Sequence, residues 1–252
     1  MTEKRFIQNS AGQDLYTLIE GPQDAKANVV FVHGNGVDMH GDYFDDIVPV
    51  LNRAGYRTVR FDLRGNGKSN GTQEEGNYAT YADDIASVLA WLRTSEYREP
   101  INLIAHSLGC SVVARLSPEG IVKTVFSGIP NPNTEVRINL QKKRMLSYPG
   151  GTFDERGVSI SINRDGLVRK VGPEYWSEIR KFDAIKSTTE FSKKTKLLLI
   201  RPKDDDVVPD IGIDQYASIP GIAFMTLPGN HRFDDPSDRA NLIKHVIDFF
   251  EK

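Results

Sequence analysis

The chain has 252 residues, of which 39% are hydrophobic and 26% charged, with a formal net charge of −2. That balance suits one globular domain with its own core and argues against a general nucleic-acid binder. A single cysteine, Cys110, excludes an internal disulfide and fits a reducing compartment; with no run of signal-peptide or membrane-spanning length, a cytoplasmic protein without a membrane partner is expected.

The opening KRFIQNSAGQDLYTLIEG predicts a hairpin turning at Ser10-Ala11-Gly12-Gln13, adding antiparallel strands at one sheet edge. Short β-branched runs follow: NVVFVHG (28–34), RTVRFDL (57–63), INLIAHS (101–107), VKTVFSG (122–128), KLLLIRP (196–202) and IAFMTLP (222–228). Most are continuously apolar, as strands covered on both faces must be. Helical patterns lie between them, at about 42–54, 78–94, 108–116 and 236–251. Strands alternating with helices predict a mostly parallel, doubly wound α/β sheet of about eight strands.

The interval 129–195 breaks this alternation. It is polar, and between positions 130 and 196 it holds 14 Lys/Arg against 8 Asp/Glu. VSISINRDGLVRKV alternates around Asp165-Gly166, a hairpin signal, and GPEYWSEIRKFDAI reads as an amphipathic helix. We read one domain over 1–252 with 129–195 as a small polar cap inserted over the C-terminal edge of the sheet. Tyr175 and Trp176 are candidate walls for a pocket beneath it. If the basic excess faces that pocket, an acidic group on the substrate would suit it. Oligomeric state leaves no mark in the sequence.

In a doubly wound sheet, function gathers past the C-terminal strand ends. There the chain places HGNG (33–36), DLRGNGKSNG (62–71), AHSLG (105–109), KDDDVVP (203–209) and PGNHRF (228–233). Ser107 stands where a strand must turn sharply into a helix, with small residues, Ala105 and Gly109, two positions to either side. That is the nucleophile-elbow pattern, in which crowding by neighbouring strands forbids bulk. The helix starting at Leu108 aims its free N–H groups at the reacting centre. A serine nucleophile needs a base and a carboxylate to orient it. His231 supplies the first, and Asp204, Asp205 and Asp206 are all candidates for the second. Asp62, Arg64 and Gly65 read as scaffold, His33 as a shaper of its loop, and Cys110 as core. His106 reads as a neighbour of the nucleophile that could touch substrate. Neither metal-ligand spacing nor a complete phosphate-binding loop occurs, so no metal or cofactor is expected.

These five blocks, in this order, resemble the α/β-hydrolase family over nearly the full chain. The resemblance implies a carboxylesterase-like serine hydrolase working through an acyl-enzyme, with Ser107, His231 and an aspartate as its triad. Alignment of the family's GxxDxxVP pattern on Pro209 selects Asp205, although Pro202 replaces the usual glycine and keeps Asp204 and Asp206 in view. It also implies an oxyanion hole from the backbone N–H groups of Asn35 and Leu108, with Gly36 beside the substrate. The cap resembles those of the feruloyl/cinnamoyl-esterase branch. A small carboxylic ester is the first substrate expected, then a thioester or a small amide or peptide. The rival from another class is a catalytically silent binding protein on the same fold.

Overall fold

The computed structural model describes residues 1–162 and 167–252. In chain order its strands are β1 (Thr2–Gln8), β2 (Asp14–Glu20), β3 (Asn28–Val32), β4 (Arg57–Phe61), β5 (Ile101–His106), β6 (Ile121–Ser127), β7 (Ser159–Ile162), β8 (Val168–Val171), β9 (Lys196–Pro202) and β10 (Ala223–Leu227). The helices are α1 (Phe44–Arg53), α2 (Tyr78–Thr94), α3 (Leu108–Leu116), α4 (Thr134–Met145), α5 (Pro173–Lys181), α6 (Ala184–Ser192), α7 (Asp214–Ala217) and α8 (Pro236–Glu251). Eight strands form one sheet in the order β1-β2-β4-β3-β5-β6-β9-β10, and β7 and β8 form a separate two-stranded sheet. The opening hairpin joins antiparallel, and β4 onward is parallel. The α/β class and strand number expected from the apolar runs are those observed.

Every residue of β3, β4 and β5 is buried; β3 and β5 feed two apolar cores at once, whereas β4 adds Val59 and Phe61 to one and buries Arg57 and Arg60 in ion pairs with Glu99 and Glu20. Val30, Val32, Leu103 and Ala105 face the side carrying α2 and α3. Val29, Phe31 and Ile104 face the side carrying α1 and α8. Alternate residues of a strand point to opposite faces, so the middle of a strand sandwiched between helices reads as a continuous apolar run. The helices begin where local chemistry meets their free N–H groups: the Asn77 side chain accepts from Ala79 and Thr80 N–H at the start of α2, and Asp235 does the same for α8.

The chain runs from β3 outward to β4, then crosses back to β5 on the other side of β3. The loops leaving β3 and β5 therefore depart in opposite directions and open a crevice between two paired strands, whose last register is Val32 opposite Ala105. HGNG and Ser107 border this crevice.

The interval between β6 and β9 carries α4, the β7–β8 hairpin, α5 and α6. The Asp165-Gly166 turn lies outside the described residues, but both flanking strands pair antiparallel, Ser159 with Val171 and Ile162 with Val168. Helix α4 is more than the sequence pattern foresaw. Its buried residues are Arg137, Ile138 and Met145, too few and too mixed to make an apolar stripe. Among the described residues no helix is long and apolar enough to cross a membrane.

Candidate active site

Ser107 sits between β5 and α3 with φ 51° and ψ −121°. A non-glycine residue at positive φ is strained, and such strain persists only where the surroundings enforce it. They do so here. A side-chain carbon at Gly109 would lie 2.5 Å from the Val32 carbonyl oxygen and 2.9 Å from that of His33, and one at Gly34 would lie 3.2 Å from Ser107 Cβ. The two neighbouring strand ends are thus packed directly against the turn, which is why bulk is excluded around it.

Ser107 Oγ lies 3.0 Å from His231 Nε2. On the far side of the ring, His231 Nδ1 lies 3.0 Å from Asp205 Oδ2 and 3.1 Å from Oδ1. The three aspartates after β9 divide their work. Asp205 faces the imidazole, while its Oδ1 also accepts from Val207 and Val208 N–H at 2.9 and 2.8 Å. Asp206 accepts from the backbone N–H of His231 at 3.2 Å, and Asp204 donates its backbone N–H to Gly229 O. Burial alone would raise the Asp205 pKa; the His231 hydrogen bond and charge and the two backbone donors outweigh it, leaving the carboxyl below its ordinary value and ionised.

Two supports of this relay had no sequence signal of their own. Gly128, just past β6, has φ 57°, and a side-chain carbon there would come within 2.9 Å of His106 and 3.0 Å of His231. Its lack of a side chain makes room for both rings, which lie 4.9 Å apart. Ser127 Oγ bridges His106 Nδ1 at 2.9 Å and Tyr43 OH at 2.8 Å, fixing His106 behind the relay. Burial pushes the His106 pKa down to about 4, so this imidazole is neutral at pH 7.

The HGNG turn is braced from behind. Leu63 N–H donates to His33 Nε2 at 3.0 Å, which leaves the proton on Nδ1, 2.9 Å from Gly34 O. In a trans peptide the carbonyl and the next N–H point opposite ways. Holding Gly34 O toward His33 therefore turns the Asn35 N–H the other way, and Asn35 borders the cavity that also exposes Ser107 and Leu108. Among the described residues, no carbonyl or side chain accepts from the Asn35 or Leu108 N–H. Asp62 holds the Met39 and Lys68 N–H groups at 2.9 and 2.8 Å, and Arg64 is committed to buried Asp84; both are structural. Cys110 is buried in the core, and His245 bonds the Asn241 carbonyl within α8.

The cavity above Ser107 encloses about 760 Å³ of space, counting its open mouth. Tyr175 and Ile179 from α5 and Val207 and Val208 line it on the apolar side, and His106 also borders it. Trp176 does not. Its ring is 1% exposed and packs edge-on to Phe153 and Tyr175, because the helical step from position 175 to 176 turns it into the cap's own core. Gly36 sits behind the lining, with the Arg169 guanidinium filling the space where its side chain would be. Among the described residues no group of three or more His, Cys, Asp or Glu is arranged to hold a metal ion.

Residues 23–146 match the family model described as serine aminopeptidase, S33. The chain is 34% identical to the non-heme chloroperoxidase CPO-A1 of Kitasatospora aureofaciens over 270 aligned positions, covering 89% of this chain and 92% of that one. A 109-residue stretch is 32% identical to the lysophosphatidylserine lipase ABHD12 of Macaca fascicularis; it covers 43% of this chain, but only 27% of the lipase's length. Among solved structures, Est1E from Butyrivibrio proteoclasticus with ferulic acid bound superposes with a TM-score of 0.78 over 98% of both chains, at 17% identity, a likeness of fold. The chain belongs to the α/β-hydrolase superfamily, among its serine hydrolases.

Proposed function

We propose that the protein hydrolyses a small carboxylic ester in two acyl-transfer steps. Ser107 Oγ attacks the ester carbonyl while His231 Nε2 takes its proton, and Asp205 holds the imidazole in the required tautomer and stabilises the imidazolium that forms. The Asn35 and Leu108 N–H groups receive the oxyanion; in comparable enzymes one such donor is worth about 10²–10³ in kcat. His231 then protonates the leaving alcohol, and a water activated by the same nitrogen releases the acid and restores Ser107. Tyr175 and Ile179 supply the apolar wall. The observation that carries this reading is the unbroken relay from Asp205 through His231 to Ser107, opening on a cavity flanked by two free N–H groups.

The test is labelling by a fluorophosphonate probe in the wild type and in Ser107→Ala, with a panel of short to long acyl esters assayed alongside. Labelling and ester turnover in the wild type, both lost in Ser107→Ala, is the expected result. A folded wild type that neither labels nor turns over any ester would sink the proposal and favour a silent binding protein.

A further inference from the structure

The basic residues of the cap fall into two groups. One is spent on structure: Arg180 pairs with Glu135 and Glu155, and Lys170 with Glu74. Arg137 is buried and donates to the carbonyls of Asn131, Pro132, Ile179 and Phe182. Arg144 and Arg169 are different, since among the described residues the side chain of neither pairs with a carboxylate nor is used up on backbone carbonyls as that of Arg137 is. The hydrogen bond that Arg169 does make is long, 3.4 Å to Asn66 Oδ1.

Arg144 faces the cavity over Ser107, and Arg169 stands behind its wall. Arg144, one residue from the end of α4, lines the same cavity as Ser107 and His231, and so does Arg232. Arg169, on β8, lays its guanidinium against Gly36, next to Asn35. Arg144 lies within electrostatic reach of both other arginines. Crowding by the cap, followed by the Arg232 charge, lowers the Arg144 pKa, although its outer face still meets solvent at the mouth. Arg169 is lowered chiefly by burial, with Arg144 adding to it. Guanidinium stays protonated at any ordinary pH, so these are like charges gathered at one place against a desolvation cost. One carboxylate shares the cavity: the Asp42 side chain is 3% exposed and lies 3.8 Å from His106 Nε2 and 3.7 Å from Arg232 Nε, so it offsets part of the Arg232 charge and leaves Arg144 without a carboxylate partner among the described residues. Asp206 is engaged by the His231 N–H.

We propose that Arg144 and Arg232 form an anion-binding subsite at the cavity over Ser107, with Arg169 adding its charge from behind Gly36, and that the esters taken carry a carboxylate or phosphate group. This rests on the esterase reading above. The planar fork of a guanidinium matches either anion with two parallel hydrogen bonds.

Matched ester pairs test it and locate the charge. p-Nitrophenyl butyrate against p-nitrophenyl hydrogen glutarate puts the anion on the acyl side; monobutyrin against its 3-phosphate puts it on the alcohol. We expect one anionic ester to exceed its neutral partner about tenfold in kcat/KM at low salt, roughly 1.4 kcal/mol. The advantage should shrink in about 0.5 M salt, and fall toward unity in both Arg144→Gln and Arg169→Gln. Ratios near one for both pairs in the wild type, or a preference that neither variant changes, overturn the subsite. Protection of Ser107 from the fluorophosphonate by glycerol 3-phosphate or glutarate reads binding without turnover. If the probe labels but no ester reacts, the esterase reading fails alone; the subsite then stands on protection that both variants abolish, and falls without it.

Discussion

His106 and His231 lie ring against ring, and their surroundings set them apart. His106 is fully enclosed, tied to Ser127, and has its pKa lowered to about 4 by burial, with Asp42 pulling the other way and His231 adding to the depression. In the proposed mechanism, a neutral ring there neither competes for the Ser107 proton nor repels an imidazolium at His231. The consequence for stability has a definite sign. The unfolded chain protonates this histidine near 6.5, the folded protein near 4, so the unfolded state binds more protons between those values and stability falls as pH falls through that window. Between pH 7 and pH 5 the loss from this one residue is roughly 2 kcal/mol, and buried His33, also shifted downward by burial, acts in the same direction. Urea midpoints at the two pH values measure it. His106→Gln should recover part of the drop, and an equal drop in that variant would show that the proton goes elsewhere.

At the level of elements, the nucleophile turn is a contact between two strand ends and one helix. The small-residue rule around Ser107 was readable from AHSLG alone, but its cause is tertiary: Gly109 faces the Val32 and His33 carbonyls at the end of β3. Those carbonyls lead straight into the loop that presents the Asn35 N–H. Gly109→Val would force α3 and β3 apart at this point and displace Ser107 from the two N–H groups together. Misplacement of about 1 Å in such a site costs on the order of 10² in rate. We expect kcat to fall by about that factor with KM changed far less, the α-helical circular dichroism being retained; an unchanged kcat would mean that the turn tolerates bulk and that the packing argument fails.

For the molecule as a whole, under the proposed function the 129–195 segment is the gatekeeper of Ser107, and within that segment Arg137 ties α4 to α5. Its guanidinium links the start of α4 to the end of α5, donating to the carbonyls of Ile179 and Phe182 at the helix terminus. Arg137→Met keeps much of the volume but abandons those acceptors. We expect a loss of about 2–4 kcal/mol of stability, since buried acceptors are left unmet, and faster proteolysis within 129–195. KM should rise more than kcat falls, because Ile179 and Tyr175 form the cavity wall while Ser107, His231 and Asp205 stand on the main sheet. Equal stability and an unchanged KM would show that α4 and α5 are held by other contacts.

The sequence by itself determined the layered sheet, the turn at Ser107, and the candidate residues for a nucleophile and its base. Each of these depends on neighbours a few positions away: unbroken apolar runs for buried strands, small residues around a strained serine, and a histidine just after the last strand. What only the tertiary structure decided involves segments far apart in the chain. Asp204, Asp205 and Asp206 are chemically alike, and only the approach of the β10 loop selects which of them faces His231. Gly128 reads as an ordinary turn residue until two imidazoles are found occupying the space of its missing side chain. Helix α4 is hidden because its buried residues include a charged one that is satisfied by α5; the Asn133-Thr134-Glu135 start, whose asparagine caps the helix, was the local signal available. Trp176 and Tyr175 are adjacent in sequence but separated by a helical turn of about 100°, which sends one into the cap core and leaves the other on the cavity wall. The basic excess of the cap could be counted in advance, yet its distribution could not. Which arginines find carboxylates and which are left over Ser107 depends on where the folded chain puts the acids.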